Sequence, residues 1–218
     1  NLLNANPTKR FETSQYEVRQ AEADALAAAQ AGETITFVAD ITEDVTISKA
    51  VTIDGAGKTY TGKMTLKADA TIKNVVIDGN NVAYNDFGIR GIFATQAGTV
   101  NIDNVTIKNV TYTLNDDGAA KTLTVIDSSL EGWTSYGTST TATFNKVNFE
   151  CGEYANFKPY SSTVLTDCNF EAGFQIDFTA LSGVLTFKNC KYNGEVLTAA
   201  NFASLVNIDG DCTGKIAF

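Results

Sequence analysis

Three glutamates recur at nearly equal spacing in the middle of the chain, and a row of carboxylates is a candidate for metal chemistry. Glu131, Glu150 and Glu171 are separated by 19 and 21 residues. If they occupy the same position in successive stacked strands, neighbouring carboxylates lie about 5 Å apart. Carboxylate oxygens are ligands for Ca²⁺, whereas without a cation they form a mutually repelling acidic stripe. We favour a solvated acidic stripe and predict no cofactor, with Ca²⁺ as the alternative.

One arginine and a group of aromatic residues are the other candidates for a site. Arg90 is the one arginine outside the first 20 residues, so it would be the arginine to abstract a proton in a lyase reaction. It follows a stretch that lengthens one repeat and contains Asn81, Tyr84 and Asp86. Aromatic rings with a polar edge suit sugars and protein partners. Besides the three residues of that stretch, we therefore assign binding to Trp133, Tyr136, Tyr154 and Tyr160.

The composition argues against several function classes. The chain has no histidine, which removes the commonest zinc ligand and the commonest general base. Its net charge of −9 argues against binding to the phosphate backbone of a nucleic acid. A run of about 18 apolar residues is absent from the sequence, so we predict no membrane insertion. We lean towards a protein that is not an enzyme.

The elements that would position these residues are repeats of about 22 residues, a length typical of a solenoid. In each repeat a polar residue separates two apolar ones and a turn follows. The second apolar residue is, in order, Ile53, Ile77, Ile107, Leu130, Phe149, Phe170 and Tyr192. The residue three places earlier is usually Asn or Asp, which tolerates a left-handed backbone. A ladder along one bend is therefore predicted for Asn74, Asn104, Asp127, Lys146, Asp167, Asn189 and Asp211.

The cysteines follow the same period. Cys168, Cys190 and Cys212 lie 22 residues apart, at a position where earlier repeats carry valine. Free cysteine behaves as a small apolar residue in protein cores. We therefore predict that these thiols pack in the core and do not form disulfides.

The first part of the chain predicts a cap for the solenoid. Ser14 and Glu17 form a capping box, alanines follow, and Gly32 supplies a stop, so a helix is predicted over 14–32. Residues 1–13 have no period and are predicted to form an extended arm. Residues 14–218 form a single domain, with rungs over 33–218. No second helix is predicted, and we expect another chain to cover the last rung of strands.

The order of these elements resembles the right-handed parallel β-helix of the pectin-lyase-like superfold. The resemblance is carried by the cap helix leading into residues 32–37 (GETITF), followed by residues 51–57 (VTIDGAG). It implies an all-β fold, a right-handed single-stranded parallel β-helix solenoid with an N-terminal capping α-helix. Polysaccharide lyases of that superfamily hold Ca²⁺ with carboxylates on neighbouring rungs, a role that would fall to Glu131, Glu150 and Glu171. The histidine and the Arg-Ile-Lys sequence of the polygalacturonase pattern are absent.

This superfold hosts enzymes, adhesins and virion proteins, so the fold does not decide the function. We expect a non-catalytic structural or binding protein of a larger assembly, foremost a virion surface component such as a phage head decoration, fibre or tail protein. Its partners would be further copies in a homo-oligomer or capsid and tail proteins, together with surface glycans. The alternatives are a secreted lyase or hydrolase of the pectate-lyase type, using Ca²⁺ and Arg90, and a bacterial surface adhesin module. The expected location is the virion, the extracellular space or the cell surface.

Overall fold

The computed structural model describes residues 8–10, 25–80, 90–96, 98–116, 121–138 and 140–218. Over these residues the chain is all-β, and its strands stack in parallel into a solenoid of about seven turns. The predicted all-β parallel solenoid is therefore confirmed. Neither helical segment of the described residues has the length and apolar character needed to span a membrane.

The larger of two sheets has 14 strands. Ten of them neighbour one another in this order: β1 (Thr8–Arg10), β2 (Thr34–Thr36), β5 (Val51–Thr61), β7 (Ala70–Asp78), β9 (Thr99–Lys108), β11 (Thr122–Glu131), β13 (Thr141–Glu150), β15 (Ser161–Thr166), β18 (Ser182–Lys188) and β22 (Ile216–Ala217). The other four pair beside this path: β3 (Ile41–Thr42), β16 (Asn169–Phe170), β19 (Lys191–Tyr192) and β20 (Glu195–Val196).

The second sheet has eight strands. They are β4 (Val45–Ile47), β6 (Met64–Leu66), β8 (Arg90–Ala94), β10 (Tyr112–Asp116), β12 (Trp133–Tyr136), β14 (Asn156–Pro159), β17 (Gln175–Asp177) and β21 (Asn207–Asp209). We call this sheet the third face. The first and second faces are the parts of the larger sheet that precede and follow a corner residue in each turn.

The corner between the first and second faces is a residue with left-handed backbone. Six turns have one, with φ between 48° and 54°, at Asn74, Asn104, Asp127, Lys146, Asp167 and Asn189. Their side chains bond along the stack; Nδ2 of Asn104, for example, lies 3.0 Å from Oδ1 of Asn74. Inward and outward alternation slips by one residue at this corner, so apolar side chains point inward on both faces. The predicted ladder is confirmed at these six positions, but Asp211 is not among the left-handed residues described, and its neighbour Gly210 is.

The apolar ladder predicted from the repeats forms the core of the second face. Its members from Ile77 to Tyr192 pair in register from turn to turn. All of them are buried, and the rings of Phe149 and Phe170 stack with centroids 4.5 Å apart. Stacking of like residues at the rung spacing explains why the sequence period is so regular.

The first member of that ladder was placed wrongly by the sequence. Ile53 pairs with Ile72 on the first face, whereas Tyr60 is the residue that pairs with Ile77. The pairing register shifts between Asp54 and Lys58, because the Gly-Ala-Gly segment makes a longer corner in this turn. A repeat counted only by residue spacing cannot detect such an insertion.

All four cysteines are free. Cys168 and Cys190 are fully buried, so the prediction that they pack in the core is confirmed. Cys212 is only partly buried and lies at the edge of the core. The stack of the second face has ended before Cys212, so its place in the repeat has no strand to occupy.

The predicted cap helix over 14–32 falls largely on residues outside those described. Within its described part, residues 25–28 are helical, and Ala25 and Ala29 are buried in the core. Gly32 has φ of 87°, as expected for the residue that ends a helix. Strand β1 pairs in parallel with β2. The division into an arm (1–13) and one domain (14–218) stays a prediction.

The last turns depart from the predicted strand pattern. Asn193 and Gly194, with φ of 49° and 78°, form a two-residue turn that folds β20 back antiparallel onto β19. A short helix, Phe202–Leu205, follows. Its buried Phe202 ring lies 5.2 Å from the Phe187 ring. The prediction of no further helix was wrong.

The local cause of this helix is a pair of hydrogen bonds just before it. Thr198 N donates to Oδ1 of Asn201 at 2.8 Å, and Asn201 N donates to Oγ1 of Thr198 at 3.3 Å. Such exchanges satisfy backbone groups at a helix start. The alternating pattern of β-branched residues on either side conceals this signal in the sequence.

Candidate functional site

The three glutamates lie at the outer edge of the second face. Glu131 and Glu150 are paired residues of β11 and β13, and Glu171 follows Phe170 of β16. All three line a surface groove of 690 Å³. The sequence therefore placed these carboxylates together correctly.

Two of the three carboxylates are engaged by backbone groups. Oε1 of Glu131 accepts a hydrogen bond from Asn109 N at 3.3 Å, and Oε2 of Glu171 accepts one from Cys151 N at 2.6 Å. Each bond joins a glutamate to a neighbouring turn, 22 and 20 residues away. Charge-assisted bonds of this kind are stronger than bonds between neutral groups, so these side chains help to hold the turns together.

Glu150 lies between the other two carboxylates. Partial burial raises its pKa above the ordinary value, and the charges of Glu131 and Glu171 raise it further, while a bond with Ser129 opposes the shift. The same environment raises the pKa of the Cys151 thiol, through burial first and then through Glu171. A thiol with a raised pKa stays protonated at neutral pH and is a poor nucleophile.

The described residues do not gather three carboxylate, thiol or imidazole side chains in positions that could hold a metal ion. Glu131, Glu150 and Glu171 thus share a groove without forming a ligand shell. Amide side chains line the groove beside them, with Nδ2 of Asn169 lying 3.0 Å from Oδ1 of Asn148.

Arg90 lies on the third face and does not line the groove. Its Nε donates to Oδ1 of Asn115 at 3.2 Å. Its guanidinium carbon lies 4.6 Å from the centre of the Phe93 ring and 5.0 Å from that of Tyr112. The structure therefore separates the arginine and the glutamates that the lyase alternative would combine.

The aromatic residues assigned to a binding platform are not brought together. Tyr136 points into the core, where its hydroxyl bonds to Thr163 and burial raises its pKa above the ordinary value. It is 1 % exposed, so its assignment to a surface site was wrong, because it stands at an inward position of β12. Tyr154 is exposed in the turn before β14, and Tyr160 is half-buried after it.

Of the remaining predicted binding residues, Asn81, Tyr84 and Asp86 lie outside the described residues. Trp133 begins β12 on the third face, and its indole ring lies 5.4 Å from the ring of Tyr112. It is half-buried. Trp133 is thus the one residue of the predicted platform that contributes to an organised outer surface among those described.

That surface is a row of outward residues that the sequence did not reveal. Successive strands of the third face pair at one position, occupied by Arg90, Tyr112, Trp133, Asn156, Gln175 and Asn207. We call it the third-face row. Spacing alone could not find it, because loops of different lengths precede these short strands. The Trp133 assignment rested on residue type.

Next to this row lies a charged pair. Nζ of Lys158 is 3.5 Å from Oδ2 of Asp177, whose side chain is 5 % exposed. Burial acts to raise the pKa of Asp177, but hydrogen bonds from Thr179 and the Lys158 charge outweigh it and lower that pKa below its ordinary value. Asp177 therefore stays ionised and paired, and the pair is neutral overall.

Comparisons with protein-family models, with curated proteins and with solved structures find no match for this chain.

Proposed function

We propose that this chain is a non-catalytic structural and binding component of a larger assembly, with the surface of a virus particle as its setting. The observation that carries the proposal is the use made of the ionisable side chains on the outer faces. Glu131 and Glu171 bind backbone groups of neighbouring turns, and Arg90 is held by an amide and two rings. Side chains engaged in this way stabilise the stack.

The architecture supports a structural role. Buried apolar residues follow one another through all the turns, from Ile35 in β2 to Phe187 in β18, as one continuous core. In such repeat proteins each turn is stabilised by its neighbours, so the whole behaves as a stiff rod. A rod that resists shear and proteolysis suits a head decoration, fibre or tail protein.

The outer faces support a binding role. Parallel strands one rung apart present their outward side chains about 4.8 Å from one another, which makes each side of the solenoid a regular surface. Aromatic and amide side chains of the third-face row occupy one of these surfaces. Partners would be further copies of the chain, capsid or tail proteins, or surface glycans.

The test is the size of the protein in its native preparation, by light scattering at high micromolar concentration, with and without EDTA. A stable oligomer, or co-sedimentation with particles, that is indifferent to EDTA is the expected result. A monomer at that concentration that also sediments apart from particles would overturn the assembly proposal. A monomer that attaches to a bacterial envelope would favour the adhesin alternative.

The lyase alternative has its own readout in the same preparation. It requires a loss of thermal stability in EDTA and formation of unsaturated products from polygalacturonate, which absorb in the ultraviolet. Either result would contradict the non-catalytic proposal. The variant Arg90→Lys would then show whether the arginine takes part, with Lys158→Arg as a control on the same face.

A further inference from the structure

Two polar atoms in the middle of the third-face row are buried without a hydrogen-bond partner. They are Nε1 of Trp133, a donor, and Oδ1 of Asn156, an acceptor. The two residues are paired on neighbouring strands, one rung apart. Asn156 is 7 % exposed, so its oxygen cannot rely on bulk water. An unmet donor and an unmet acceptor side by side are rare in native proteins and call for an explanation.

The surroundings of these two atoms hold them in place. Tyr112 packs against the Trp133 ring on one side, and Asn156 bonds to Asp177 on the other. Arg90 lies beyond Tyr112 and is itself fixed by Asn115. Rigid positioning of polar groups that lack partners is a property of binding sites, since it favours the ligand that supplies the missing bonds.

The chemistry of the missing partner follows from the atoms. A hydroxyl group accepts one hydrogen bond and donates another, so a single hydroxyl satisfies both Trp133 and Asn156. The half-buried rings of Trp133 and Tyr112 present aromatic surface beside it, which suits the apolar face of a sugar ring. The adjacent Lys158–Asp177 pair cancels its own charge, and the chain carries −9 overall, so an anionic sugar is disfavoured.

We infer that the third-face row binds a neutral oligosaccharide, with a sugar hydroxyl between Trp133 and Asn156. This inference rests on the binding half of the proposed function and names its ligand class. The neutral sugar is recognised in the same way whether it is free or part of a surface glycan. No covalent step is involved.

The chain contains a single tryptophan, so its fluorescence reports on this site alone. The intact chain is titrated with cellotetraose, xylotetraose, mannotetraose and lacto-N-tetraose, with tetragalacturonate as the anionic control. A saturable change in emission with at least one neutral probe, unaltered between 0.05 and 0.5 M NaCl, is the expected result; salt of about these strengths screens charge interactions strongly. Failure of all four neutral probes, or binding of tetragalacturonate alone, would overturn the inference.

Variants separate binding from folding. Trp133→Phe keeps an aromatic ring and removes the donor, and calorimetry should then show about a tenfold loss of affinity, the equivalent of one hydrogen bond. Its melting temperature should stay within about 3 °C of the parent, since the lost N–H has no partner in the free protein. Asn156→Ala tests the acceptor, and Tyr154→Phe, in a turn outside the row, is the control with unchanged affinity. Unchanged affinity in both row variants would contradict the inference.

The outcomes for this inference and for the proposed function are distinguishable. An oligomer or particle-bound protein that binds no neutral probe would overturn the sugar site and leave the assembly proposal standing. A monomer that binds a neutral probe through Trp133 would do the reverse.

Discussion

Replacing Glu150 by glutamine is expected to stabilise the protein. Glu131 is its paired residue on one side, and the Glu171 charge acts on it from the other. Carboxylates on adjacent rungs lie about 5 Å apart, where two charges repel by about 0.8 kcal/mol in water and about 3 kcal/mol at a dielectric constant of 20. Because the groove is open and screened by salt, we take about 0.5 kcal/mol for each neighbour. The free energy of unfolding at pH 7 should then rise by about 1 kcal/mol.

The effect should depend on pH in a defined direction. Since the folded-state pKa of Glu150 is raised, the native protein holds this proton more tightly than the unfolded chain does. Its favourable contribution is fully present below the unfolded pKa of about 4.3 and is lost as the pH rises through the raised folded pKa. Glutamine resembles protonated glutamate, so the variant and the parent should be equally stable near pH 4 and differ most at neutral pH.

The assay is urea unfolding of parent and variant at several pH values, each at low salt and at 0.5 M NaCl. Glu153→Gln removes one charge from an exposed turn position outside the groove and controls for net charge. Half a molar salt should shrink the difference. A Glu150→Gln variant that is less stable at pH 7, or whose gain is matched by Glu153→Gln, would refute the reasoning.

Three further predictions concern the stack itself. Phe149→Ala should lower the free energy of unfolding by about 3–5 kcal/mol in urea titrations, because its fully buried ring stacks on the next turn, whereas Tyr154→Ala, 41 % exposed, should change it by less than about 0.5 kcal/mol; similar losses in both would contradict the assigned burial. Asn104→Ala should be less stable than Asn104→Gly by about 1 kcal/mol, because φ of 54° strains alanine; equal values would deny the left-handed corner. A reducing agent should leave the melting temperature unchanged and Cys168→Val should cost less than about 1.5 kcal/mol, since all four thiols are free; a shift on reduction would reveal a disulfide.

Much of the architecture could be predicted from the residues because a solenoid repeats its local environment. The ladder from Ile77 to Tyr192 and the left-handed asparagines such as Asn104 recur wherever the same corner recurs, so their spacing is visible in the chain. The predictions broke down where a turn deviates. Ile53 was assigned to the wrong face because of an enlarged corner, and the helix Phe202–Leu205 lies inside a strand-like pattern.

The candidate sites divide in the same way. The acidic groove was predictable because Glu131, Glu150 and Glu171 follow the repeat, and repeated positions become neighbours. The third-face row was not, since variable loops precede its strands and remove any constant spacing. Tyr136 and Trp133 stand three residues apart in one strand, yet one points inward and the other outward.

By itself, then, the sequence determined the parallel β-solenoid and the acidic groove, because both depend on a local pattern repeated at the rung spacing. Only the tertiary structure decided which turn starts each ladder, that Arg90 lies on a different face from the glutamates, and that Trp133 and Asn156 carry unpartnered atoms side by side. The physical reason is that pairing between turns depends on loop lengths and strand register, which bring together residues about 20 positions apart. Their hydrogen bonds can be counted only after the chain has closed around them.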